Sequence, residues 1–241
     1  MTVSSHDRAP AMAQPEQRAA RQTATGVAAR WERRLQQIAL VLARLGLAYL
    51  FFTQLWWKTP PTFGCGADFA FTSAAADGKL QRTRGLCDWI GIESVYATQP
   101  RPLLVANIDN RGAPEIALDI GWVARLNGAF IDSVVKPNIR WFGYAIFVAE
   151  AFIFASLALG LFSRLGGLVA IGMSAQLLIG LAGIPNPYEW EWAYINMVLL
   201  AIVIFAFAPG RYLGLDALLR PRLVTAAANG SRIARVVLAL T

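Results

Sequence analysis

Histidine is nearly absent from this sequence: its 241 residues hold one, His6, close to the start. Haem ligation by histidine, a zinc cluster and a Ser-His-Asp triad therefore lack their parts. Cysteine is almost as sparse, with only Cys65 and Cys87. No Walker loop and no GxGxxG fingerprint occurs, so nucleotides have no recognisable cradle. Metal, haem and nucleotide are thus not expected, and any redox chemistry has to use quinone, thiols or a partner subunit. Charge is scarce too, at 15% of residues against 56% hydrophobic, where soluble domains carry about 25% charged residues. Lipid is the solvent this composition fits. The net charge of +7 does not point to nucleic acid, because the basic residues form no continuous patch interleaved with aromatics.

What is present is four apolar blocks, which predict an all-α membrane protein built as a four-helix transmembrane bundle. The spans are expected over about 38–57, 141–162, 165–184 and 192–208. Twenty residues at 1.5 Å each give roughly 30 Å, the thickness of the hydrocarbon core. Charge placement sets the orientation. Residues 1–35 carry six Arg against three acids, the segment from 209 carries five Arg against Asp216, and the turn between the second and third spans holds Arg164. These face the cytoplasm, so both termini are cytoplasmic in a multi-pass cell-membrane protein. The first apolar run is too long for a signal h-region and reads as a retained anchor. The third span's small residues, Gly166, Ala170, Ser174, Gly172 and Gly180, permit close helix contact and a homo-oligomer.

Residues 1 to about 25 show no apolar periodicity and are expected to be disordered, with helix beginning near Val27. The domain reading is a basic N-terminal segment (1–35), a membrane domain (36–222) and a C-terminal tail (223–241). The outer loop, 58–138, is about eighty residues long, too long to be structureless. It holds eight basic and eight acidic residues. A helix from Pro114 to Lys136, stopped by Pro137, is predicted to lie on the outer membrane surface. A second short helix is possible near Leu86 to Val95. Cys65 and Cys87 fall in this loop on the oxidising side, and without a CxxC they read as a structural disulfide rather than a redox-active pair.

Three polar residues lie inside the spans. Counted from the inner end, Arg44, Glu150 and Gln176 sit roughly 9 to 18 Å deep at 1.5 Å per residue. An ion alone there is costly, so Arg44 and Glu150 are expected to pair directly or through Gln176 in one polar layer. Glu150 then either handles protons or binds a ligand, or else forms half of a structural ion pair; Arg44 either joins it or snorkels to the headgroups. A second group gathers at the outer ends: Gln54, Trp57 and Lys58 after the first span, and Asn186, Glu189, Trp190, Glu191, Tyr194 and Asn196 around the fourth. Aromatic rings beside a few polar groups suit a quinone headgroup, while an ordinary aromatic belt would look the same.

The segments RLGLAYLFFTQLWWK (44–58), PNIRWFGYAIFVAEAFIFASLALGLFSRLGGL (137–168) and NPYEWEWAYINMVLLAIVIFAFAPGRYLGLDALLRPR (186–222) resemble the DoxX/DoxD family of small four-helix membrane proteins. The acid at Glu150, the Gly-Leu-Phe-Ser-Arg turn ending at Arg164 and the GRYLGLDALL close at 210–219 carry the likeness, over the spans and not the tails. This outer loop is longer than in the shortest members of the family.

The family includes the membrane subunit of thiosulfate:quinone oxidoreductase, so the resemblance implies a membrane subunit passing electrons from thiosulfate or a thiol to quinone, alongside a partner protein. In that reading the outer aromatic group holds quinone, Glu150 and Arg44 carry the catalytic role, and Arg82 and Arg84 attract the anionic donor. A non-catalytic scaffold docking a partner through the outer loop is the alternative. A small-molecule transporter is weakened by the absence of inverted repeats.

Overall fold

The computed structural model describes residues 13–73, 85–103, 118–184 and 189–241. Arg82, Arg84, Asn186 and the expected helix start at Pro114 lie outside them, as does the side chain of Glu191. The chain divides into two compact units, Met1–Leu40 and Val41–Thr241.

Helix α1 spans Ala13–Leu55. It begins earlier than the expected start near Val27, because Ala, Gln, Glu and Arg favour helix whether or not a face is apolar. Within the first unit, Trp31, Leu35 and Ile38 are exposed. In the second unit, α2 (Leu86–Tyr96) is followed by a short antiparallel pair, β1 (Pro102–Leu103) and β2 (Leu118–Asp119). Then come α3 (Gly121–Phe130), α4 (Ile139–Leu159), α5 (Ser163–Leu181), α6 (Glu191–Phe207), α7 (Leu215–Ala228) and α8 (Arg232–Leu240).

Among the described residues, three helical stretches are long and apolar enough to cross a membrane: Ala29–Leu55, Gly121–Leu159 and Ser163–Leu181. The fourth apolar helix, α6, is 17 residues long. Buried Leu47, Ala48 and Phe51 of α1, Ile153 and Leu157 of α4, Ala170 of α5, and Ala201 and Ile204 of α6 make one core.

Pro137 is not the stop that the sequence suggested. The backbone stays helical from α3 into α4 through a π turn (Ile131–Val135) and a 3-10 turn (Lys136–Asn138). Proline sits early in that 3-10 turn, where no intrahelical N–H is required of it, so the chain changes helix type instead of ending. The segment 223–241 is likewise more than a tail, since α7 runs through its first residues and α8 fills its second half.

A second core packs beside the first. The disulfide Cys65–Cys87 is surrounded by Phe63, Leu86, Ile90, Ile131, Val135 and Ile139. Helix α2 is buried on nearly every side, with Ile92 and Tyr96 against Leu181 and Ile184. A helix covered all round belongs to the interior. It brings Glu93 and Asp88 inside with it.

Candidate functional site

Lys58 follows the turn that ends α1, where its N–H donates to the Leu55 carbonyl at 3.2 Å. Its side chain does not turn out to the headgroups; it is 6% exposed and forms a salt bridge with Glu150 of α4. The ammonium also lies 4.5 Å from the centre of the Trp57 ring, and the Trp57 indole N–H donates to Gln54 Oε1 at 3.2 Å. Gln54, Trp57, Lys58 and Glu150 are thus brought together. Glu150 Oε2 is buried with no hydrogen-bond partner among the described residues. Burial pushes the Lys58 ammonium below its ordinary value, and the nearby Glu150 and Glu93 carboxylates oppose that.

Glu93 of α2 was not singled out by the sequence. It is buried, and its Oε2 accepts hydrogen bonds from Gln176 Nε2 of α5 at 2.8 Å and Asn127 Nδ2 of α3 at 3.3 Å. Burial pushes its carboxyl up to about 7, against those two hydrogen bonds and the charges of Arg101 and Lys58. A carboxyl tuned near neutrality can both take and give a proton at physiological pH. Arg101 is 3% exposed and donates to the Ala182 and Gly180 carbonyls at 3.1 and 3.0 Å, satisfying acceptors that the end of α5 leaves open. Glu93 and Glu150 therefore share this end of the core with the buried cations Lys58 and Arg101.

The expected polar layer of Arg44, Glu150 and Gln176 does not form. Glu150 takes Lys58, Gln176 takes Glu93, and Arg44 belongs to the opposite end of the core, where its Nη1 donates to the Pro209 carbonyl at a long 3.5 Å. The reason is reach: a lysine on the turn after α1 extends inward to the carboxylate, so the arginine is free to tie α1 to the turn after α6. Of the remaining predicted group, Tyr194 donates to Glu189 Oε2 at 2.9 Å as a second pair, whereas Trp190 and Asn196 are exposed.

One sequence signal would have found Glu93. An acid five residues after Asp88 in an otherwise apolar eleven-residue helix is costly unless it is buried with partners. Arg101, between two prolines, carries no such signal. Comparison with family models, with curated proteins and with solved structures found no match. The DoxX/DoxD likeness therefore rests on the quoted segments alone.

Proposed function

We propose that the chain is a four-helix transmembrane subunit of a DoxX/DoxD-like oxidoreductase, passing electrons from thiosulfate or a thiol to membrane quinone, with the outer polar cluster handling protons. Three long apolar helices and the apolar α6, which share one core, support the four-span reading. The positive charge bias supports cytoplasmic termini and an outer position for the disulfide-tied loop. Trp122, Leu126 and Phe130 of α3 and Val134 of the π turn after it, four residues apart and exposed, suit an outer membrane surface.

The observation that carries the proton role is the buried carboxyl of Glu93, held by Gln176 and Asn127 beside Lys58 and Arg101. Lys58 and Trp57, with the orphaned Glu150 Oε2 beside them, are the features that fit a quinone headgroup and its quinol product. Trp57 offers it a ring face and Lys58 a donor for a quinone carbonyl, while Glu150 Oε2 offers an acceptor for a hydroxyl of the quinol product. Bound quinone would supply the two-electron acceptor. Glu93 holds the proton, Asn127 and Gln176 fix its carboxyl, and Lys58 pairs with Glu150.

Isolated membranes carrying Glu93→Gln or Glu150→Gln should lose thiosulfate-dependent or thiol-dependent quinone reduction by about 100-fold, the usual size of a positioned acid or base. Unchanged rates in both would remove the enzyme reading. The scaffold reading is favoured by the exposed α3 stripe, and substituting Trp122 and Phe130 with Ser would then release a co-purifying protein while quinone reduction stayed absent.

A further inference from the structure

At the opposite end of the core, Asp216 ties three elements together. Its Oδ1 accepts from the Phe162 N–H at 2.8 Å, and its Oδ2 accepts from the Ser163 N–H at 2.9 Å and the Ser163 hydroxyl at 2.7 Å. Phe162 is thereby held at a left-handed φ of 52° just before α5. This clasp folds the start of α7 back onto the turn between α4 and α5, and it gathers arginines from three places: Arg164 in the first turn of α5, Arg211 in the 3-10 turn after α6 (Pro209–Arg211), and Arg220 in α7.

Their hydrogen bonds go to main-chain oxygens. Arg164 donates to the Phe205 and Ala206 carbonyls at 3.3 and 3.4 Å, and Arg211 donates to the main-chain oxygen of Thr241 at 3.1 and 2.5 Å. Arg220 Nη1 is buried without a partner among the described residues. Among the described residues, the acidic side chain that reaches Arg211 is Asp216, whose oxygens are already taken and which Arg44 also faces. Burial and then repulsion by Arg164 and Arg220 hold the Arg211 guanidinium below its ordinary value. Arg211 with Arg164 and Arg220 near it, one of them holding a buried N–H without an acceptor, is an arrangement that a bound anion relieves.

We propose that Arg164, Arg211 and Arg220 form a site for a phosphate group. They stand where α5 begins and α6 has just ended, which is headgroup depth if those helices cross the bilayer. Leu213 and Leu218, exposed beside Arg211 and Arg220, give an attached acyl chain apolar surface. The phosphate of an acidic phospholipid and free phosphate share the chemistry that these forks recognise.

The test uses the purified full chain in mild detergent, titrated separately with phosphatidylglycerol and with inorganic phosphate, and read by native mass spectrometry and thermal shift. Phosphatidylglycerol should bind saturably, and Arg164→Gln and Arg220→Gln should each weaken it about tenfold, the loss of one charge-assisted contact. Arg235→Gln, an exposed arginine bonded to the Gly230 carbonyl, should leave it unchanged. If inorganic phosphate binds and competes in the wild type but not in these variants, the same residues take phosphate from solution. Equal loss in Arg235→Gln would show diffuse charge attraction and overturn the site. So would wild-type binding in both Arg164→Gln and Arg220→Gln, or no binding of either probe by the wild type. Arg220→Lys, which keeps the charge and loses the fork, provides a gentler variant should Arg220→Gln fold poorly; its phosphatidylglycerol affinity should also fall.

Discussion

Gly180 of α5 and Glu93 of α2 occupy space that only one side chain can fill: a Cβ built on Gly180 would overlap the Glu93 carboxylate and stand 2.8 Å from its Cγ. The small residue at that point in the apolar helix is what admits a buried carboxyl from the loop. Gly180→Ala should therefore displace Glu93 from Gln176, destabilising the protein by about 1–3 kcal/mol as overpacking does. Thermal unfolding in detergent checks this, and a stabilising effect would contradict it.

The raised pKa of Glu93 makes stability depend on pH with a definite sign. A glutamate that titrates near 4.5 in the unfolded chain and at about 7 when folded binds more protons in the folded state between those values. Its contribution is fully present below about 4.5 and is lost as pH rises to about 7, amounting to about 3 kcal/mol. Glu93→Gln, which mimics the protonated form, should flatten the profile of unfolding temperature against pH over that window.

The Lys58–Glu150 pair should behave as a unit. Removing either partner leaves a buried charge alone, so Lys58→Met or Glu150→Gln should each cost about 3–5 kcal/mol. The double substitution should cost less than the sum, and a double-mutant cycle in chemical unfolding measures the difference. Additive losses would mean that the two side chains do not interact.

Much of the architecture was legible from residue pattern, because an apolar run of helical length announces itself without tertiary context. The long apolar helices at α1, α4 and α5 follow from that, as does a shorter one at α6. Pro137 misled because proline ends a continuing α-ladder, whereas here it opens a 3-10 turn after a π turn and the helix goes on. The pairing of polar residues was less legible. Counting depth along each span assigns Arg44 to Glu150, but depth ignores the reach of a lysine lying just beyond the span. Lys58 was visible only as part of an outer rim, and Glu93 only as one acid in a long loop. What joins them is the folding of α2 onto the end of α5, a contact between distant segments that local periodicity does not encode.

At the other end, Asp216 satisfies two backbone N–H groups that otherwise have no acceptor at the start of α5. Asp216→Ala should cost about 2–4 kcal/mol, since buried donors left unpaired are expensive and these bonds are to a charged group. Asp216→Asn should cost less, because it keeps one acceptor oxygen. Unfolding midpoints of the two variants test the order.

The proposed proton exchange at Glu93 during quinone reduction is tested most directly by the pH dependence of quinone reduction in isolated membranes supplied with thiosulfate or a small thiol, wild type against Glu93→Gln. The wild type should show a break near pH 7, and the variant a slow, pH-independent rate. A variant with the wild-type rate and the same break would contradict that exchange.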